Sequence, residues 1–211
     1  MAHKISEIYQ ILFNHYGPQH WWPGDTPLEI MIGAVLTQNT NWQNVEKAID
    51  NLKAANLLSL IDLAEIAPGH LAELIRPSGY YNLKAGRLKN LVTAITDQSE
   101  TLDDFFAVDR ETLRDRLLAI KGIGPETADS IILYAAEKPI FVVDAYTHRI
   151  LLRHDLIWDD ADYNEIQSLF TDQLEEETPL FNEYHALLVQ VGKDFCRKTN
   201  PRCDSCPLLG V

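Results

Sequence analysis

Asp144 follows an apolar run, Phe141-Val142-Val143, and precedes Ile150, Leu151 and Leu152, which recur at helical spacing. Locally this reads as an aspartate N-cap. A capping carboxylate is held rigidly, and helix-end amides keep it ionised, so capping is compatible with a chemical role. Upstream lies Leu118-Ala-Ile-Lys-Gly-Ile-Gly-Pro-Glu-Thr-Ala-Asp129. Gly122 and Gly124 tolerate the backbone of a tight hairpin and leave amide N–H groups uncovered. Pro125 suits the first position of the next helix, whose positive end faces the turn. Free amides at a helix start bind anions, here a phosphate, without regard to base sequence. The plainer alternative is an ordinary helix–turn–helix corner.

Two further clusters carry chemistry. His20-Trp21-Trp22-Pro23 and Gln38-Asn39-Thr40-Asn41-Trp42 set aromatic rings beside side-chain amides. Such a set suits an extruded base, with rings on its faces and amides at its edges; core packing of the tryptophans is the alternative. Cys196, Cys203 and Cys206 all fall in the last 16 residues. That clustering suggests a metal site more than disulfides. Arg197, Lys198 and Arg202 interleave the cysteines, so the loop could also touch phosphate.

These residues need elements to position them, and helical periodicity dominates. Ile5, Ile8, Tyr9 and Leu12 share a face, and Pro27 opens a segment with Leu28, Met31, Ile32, Val35 and Leu36 in register. Further helices are expected over Trp42–Ala54, Leu58–Ile66, His70–Ile75, Asn82–Thr96, Thr112–Ala119 and Pro125–Ala136, and after Asp144, Asn164 and Thr178. Breaks are expected at Pro68-Gly69 and Pro77-Ser78-Gly79. The run Ile140–Val143 is short enough to be a buried connector. The expected class is all-α, with two helical lobes flanking a cleft. One lobe comprises residues 1–24 and 136–211 with the cysteine loop; the other spans 25–135 and holds the hairpin at 112–136.

The chain has 211 residues and a net charge of −13. That acidity argues against casual nucleic-acid binding, but it is unevenly spread. His154 to His185 holds ten acidic residues and no Lys or Arg, whereas Arg76 to Lys121 holds eight basic and seven acidic ones. An acidic face could coexist with a near-neutral strip facing DNA, and binding should be strongly salt-sensitive. No run of about 18 apolar residues could span a membrane. The N-terminal residues lack a secretory pattern, and a cytoplasmic, monomeric protein is expected.

The hairpin followed by VVDxxxxR resembles the helix-hairpin-helix DNA glycosylases of the endonuclease III superfamily. With WWP, GAVLTQNT, RPSGYYNLKAGRL, KGIGPETADSI and VVDAY, the chain is most similar to the bacterial 3-methyladenine DNA glycosylase branch over about residues 20–195. The resemblance implies a helix-hairpin-helix glycosylase fold that acts on double-stranded DNA containing a damaged base. It makes Asp144 the catalytic carboxylate, stabilising an oxocarbenium-like sugar and orienting water. Trp22 and Trp42 would sandwich the base, with Gln38, Glu126 and Lys193 around the pocket. Asn39, or Gln38, would wedge into the duplex, and Lys121, Gly122, Gly124 and Thr127 would meet the backbone. Helix C-capping by Asn39 and a surface salt bridge for Lys193 are the alternatives.

Bifunctional members carry a lysine two residues after the second glycine; here that position is Glu126. A carboxylate cannot form the Schiff base that strand cleavage needs, although Glu126 could serve only as a first-turn acid. A monofunctional glycosylase for alkylated purines is therefore expected. An endonuclease III-like enzyme for oxidised pyrimidines or mismatches, and a non-catalytic damage-binding protein, are the competing readings. The spacing Cys196-x6-Cys203-x2-Cys206 matches three positions of the family's four-cysteine [4Fe–4S] loop, whose usual fourth position would be 212. A zinc site or three free thiols are the alternatives.

Overall fold

The computed structural model describes residues 4–21 and 24–211. Among them are twelve α-helices and no strand, in keeping with the all-α expectation. The chain divides into two compact units, one of Met1–Trp21 with Pro139–Val211 and one of Trp22–Lys138.

The central unit is built around α2 (Pro27–Leu36). Eight of its residues are buried, including Ile30, Met31, Ile32 and Val35. A helix apolar on all sides belongs in the middle of a core. It packs against α3 (Trp42–Ala54), α6 (Tyr81–Gln98), α9 (Pro125–Ser130) and a π-helical segment, Ile131–Ala135. Thr26 caps α2 through the Glu29 amide at 3.2 Å, and Pro27 takes the first helical position. The short α4 (Leu60–Glu65) and α5 (Pro68–Leu74) lie on α6.

Three local expectations change. Pro68-Gly69 opens α5 instead of breaking the chain, because a proline at the first position sacrifices no intrahelical hydrogen bond. The helix beginning at Pro125 shifts into a π-turn at Ile131, and all five residues of that turn are buried. A helix not anticipated from periodicity, α7 (Leu102–Phe106), is capped by Thr101 and buries only Phe105. Five residues are too few to show a period.

Lys84 is the one lysine buried in this core among the described residues. Its Nζ donates to the Leu36 carbonyl at 2.8 Å and the Ser78 carbonyl at 2.6 Å. It thereby joins the C-terminal end of α2 to the 3-10 turn Arg76–Ser78, where helix carbonyls favour a cation.

The other unit packs α12 (Thr178–Asp194) against α1 (Lys4–Tyr16) and α10 (Ala145–Arg153). Phe141, Phe170, Phe181 and Tyr184 form its aromatic centre, with Phe141 stacked on Phe170 at 3.7 Å. Ile140–Val143 is a buried connector outside any helix, as expected. Buried backbone polar groups need partners, and α11 (Tyr163–Thr171) supplies them. Gln167 donates to the Phe141 carbonyl at 2.6 Å, and the Tyr163 hydroxyl accepts from the Val143 amide at 3.3 Å. These bonds fix the chain just ahead of Asp144.

Burial, then the nearby Arg87 charge, lowers the Lys84 pKa from 10.5 to about 8. Between those values the unfolded chain holds a proton that the folded chain has released, so this group makes unfolding free energy rise with pH. Below about 8 both states are protonated and the whole cost of burying the cation is present. In urea unfolding from pH 7.5 to 10, the stability of the protein minus that of Lys84→Met should rise with pH. A flat difference would contradict this account.

Candidate active site

The hairpin joins α8 (Arg110–Leu118) to α9. Ile120 and Ile123 anchor it in the core, while Lys121, Gly124, Pro125 and Glu126 are exposed. Gly122 has φ +100°, and a Cβ there would stand 2.5 Å from the Arg87 Cγ. The hairpin therefore needs glycine for its backbone and for space. Gly124 is the N-cap of α9 and brings no side chain to its first turn, which suits an anion. The two helices are tied by Arg114, whose Nε donates to Oδ1 of the fully buried Asp129 at 2.7 Å.

A polar clamp from α2 and α6 holds the hairpin. Gln38 donates to the Gly122 carbonyl at 3.2 Å and to the Thr127 hydroxyl at 2.9 Å, and its Oε1 accepts from Arg87. Asn90 donates to the Lys121 carbonyl at 2.9 Å. Arg87 and Asn90 are one turn apart on α6, so both reach the same loop. Sequence reasoning singled out neither, although their helical spacing within and just beyond RPSGYYNLKAGRL was a usable signal. Gln38 and Thr127 face each other inside this unit. Thr127 is buried, and both Gln38 amide hydrogens are engaged.

Asn39 is exposed, with φ +56° just past α2. Asparagine tolerates this left-handed conformation better than most residues. Asn41 caps α3 through the Asn44 amide at 3.1 Å. Trp42 opens α3 half-buried, its ring 3.3 Å from where a Gly33 Cβ would stand. Trp22 lies outside the described residues.

Asp144 is the N-cap of α10. Its Oδ1 accepts from the Thr147 amide at 2.8 Å and the Thr147 hydroxyl at 2.9 Å. Its Oδ2 faces His185 Nε2 at 3.6 Å. Burial pushes the carboxyl pKa up, but His185 and the Thr147 bonds outweigh it and hold it below the usual aspartate value. The group is therefore an ionised carboxylate, 12% exposed and fixed on one side. His185, on α12, carries no signature in the sequence; only packing reveals it.

The approach of α10 to α12 depends on Gly192. A Cβ there would lie 2.3 Å from Tyr146 Cδ1 and 3.0 Å from its Cβ. His185 and Gly192 are two helical turns apart, so they lie on the same side of α12. Lys193 is exposed on this helix, and its carbonyl accepts from Arg197 Nε at 3.1 Å.

Cys196 is buried, Cys206 half-buried and Cys203 exposed. Burial, and then the nearby charges of Cys196 and Cys203, push the Cys206 thiol pKa up. Arg153 donates to Cys196 Sγ at 3.3 Å and to the Arg197 carbonyl at 2.8 Å, and Arg149 Nε donates to the Cys196 carbonyl at 2.7 Å. Among the described residues, no group of three or more His, Cys, Asp or Glu is disposed to hold a metal ion. Arginines of α10 organise the segment around Cys196, and Cys206 lies close enough to Cys196 and Cys203 to feel their charge.

Two substitutions test this geometry. Gly192→Ala should cost about 1–3 kcal/mol in urea unfolding through overpacking against Tyr146. Gly122→Ala should cost about 1–3 kcal/mol in urea unfolding from backbone strain and the clash with Arg87.

Comparison with known proteins agrees with this reading. Residues 32–176 match the family of HhH-GPD superfamily base excision DNA repair proteins. A Methanocaldococcus jannaschii protein bearing the name DNA repair glycosylase is 47% identical over 206 residues, 97% of this chain and 93% of its own. The structure of Helicobacter pylori 3-methyladenine DNA glycosylase bound to 1,N6-ethenoadenine matches with a TM-score of 0.77 at 33% identity. It covers 90% of this chain and 97% of that one. A non-covalent endonuclease III–DNA complex matches in fold with a TM-score of 0.84 at 22% identity, covering 99% of this chain and 94% of that one. With a phosphate-suited hairpin and an ionised aspartate at a helix start already in place, the chain belongs to the HhH-GPD superfamily of base excision DNA repair proteins and is a DNA glycosylase.

Proposed function

We propose that this glycosylase hydrolyses the N-glycosidic bond of alkylated purines and leaves the strand intact. The observation that carries the reading is the Asp144 carboxylate, ionised and fixed by Thr147. As the bond to the base lengthens, positive charge gathers on the sugar, and a fixed carboxylate stabilises it without reorganising. Water then adds to the anomeric carbon, with the carboxylate orienting it and taking its proton.

Glu126 supports hydrolysis over strand cleavage. It is exposed at the start of α9, where a lyase would need an amine nucleophile. By residue type, Trp22 and Trp42 suit an electron-poor alkylated purine, which an indole attracts through its π face. The similar Helicobacter pylori enzyme, held in complex with 1,N6-ethenoadenine, favours the same class of base. The exposed Asn39 suits the wedge that fills the vacated stack, and Lys193 suits a pocket-side cation. Lys121, Gly122 and Gly124 meet the phosphates, while Gln38 and Thr127 serve by holding the hairpin.

Base release should be measured on duplexes containing 3-methyladenine, hypoxanthine, thymine glycol or a mismatch. The alkylated purine should be released fastest, and Asp144→Asn should slow release by about 10²–10⁴-fold while still binding DNA. Borohydride should trap no covalent protein–DNA adduct. An adduct, or thymine glycol as the preferred substrate, would instead indicate the endonuclease III-like activity.

A further inference from the structure

We propose that His185 is a positioning residue for Asp144, fixing through its Nε2 edge the carboxylate oxygen that α10 does not hold. The inference rests on the catalytic reading of Asp144 and extends it to a second helix.

The two oxygens of Asp144 have unlike surroundings. Oδ1 takes both Thr147 hydrogen bonds and so belongs to the helix cap. Oδ2 receives neither of them and faces His185 Nε2 at 3.6 Å. Rotation about the bond carrying a carboxylate is broad and nearly two-fold, so a single cap leaves the second oxygen loosely aimed. A donor on the other side narrows that rotation.

His185 is built to be such a donor. Its side chain is 6% exposed. The Trp21 ring lies against it, centroids 5.6 Å apart and tilted by 40°. Its α12 neighbours Tyr184, Ala186, Leu187 and Leu188 are buried, so the backbone beneath it is fixed. The close contact of Tyr146 with Gly192 fixes the separation of α10 and α12 two turns further along. At 3.6 Å the pair lies beyond ordinary hydrogen-bond length. Catalytic contacts are often long before substrate binds and shorten when the site fills. A closure of about half an ångström would turn this contact into a charge-assisted hydrogen bond. The Tyr163 hydroxyl of α11 accepts from the Val143 amide, one residue before Asp144, and His185 faces Oδ2 itself.

The test compares His185→Phe, which keeps volume and ring stacking but removes the donor, with His185→Gln, which keeps a donor. His185→Phe should lower the single-turnover rate of base release about 10- to 100-fold with DNA affinity unchanged. His185→Gln should restore most of the rate, and His185→Phe should cost nothing further in the Asp144→Asn background. If the phenylalanine variant does not fold, as judged by thermal melting, His185→Asn, too short to reach Oδ2, should show the same loss. Independently of any substrate, the Asp144 carboxyl signal in a carbon-13 titration, assigned with Asp144→Asn, should move to higher pKa in His185→Phe. Full activity in His185→Phe beside an inactive Asp144→Asn would overturn the role of His185 and leave the catalytic assignment standing. An unmoved carboxyl titration would also overturn it. An active Asp144→Asn would instead defeat the catalytic reading itself.

Discussion

The closeness of α10 and α12 is the constraint on which the surroundings of Asp144 depend. Gly192 leaves no room for a Cβ beside Tyr146, and so lets the first turn of α10 lie directly on α12. Asp144 caps that first turn, and His185 lies on α12. One missing methyl group thus sets how far apart a carboxylate and an imidazole stand. The far end of α10 is tied down as well, since Arg149 and Arg153 bond to the Cys196 segment. Ahead of α10, the buried connector is held by Gln167 and Tyr163. Asp144 is thus held from both directions.

The central unit solves a different problem, presenting backbone amides on a loop that must not move. Loops are ordinarily the mobile parts of a fold. Here Ile120 and Ile123 sink into the core, Arg114 and Asp129 tie the flanking helices, and Gln38, Arg87 and Asn90 bond the loop from α2 and α6. Lys84 holds those two supports together from below. Lys121, Gly124, Pro125 and Glu126 are left facing outward.

Charge follows the same division. The stretch from His154 to His185, with ten acidic residues and no Lys or Arg, belongs to the unit containing Asp144. Arg87, Asn90, Arg114 and Lys121 come from the stretch where basic and acidic residues nearly balance. A net charge of −13 is therefore a poor guide to DNA affinity, because phosphate contact depends on the local field within about a Debye length.

The sequence by itself determined the helical class, the hairpin, the cap at Asp144 and the chemical types that could act there. All of these are local: they follow from periodicity, from glycine and proline at a turn, and from an aspartate ahead of an apolar helix. It also supplied the family resemblance, through motifs each contained within a short stretch. Only the tertiary structure decided which side chains meet. His185 faces Asp144 from another helix, and Gln38 bonds to Gly122 from 84 residues away. Gln38 was expected at a base pocket; in the fold its amide bonds to the hairpin, and the three cysteines come close enough together for Cys196 and Cys203 to raise the Cys206 thiol pKa. Spacing along the chain constrains neighbours within a helix or turn. Contacts between helices are set by how their faces pack, and here by whether a position such as Gly192 carries a side chain at all.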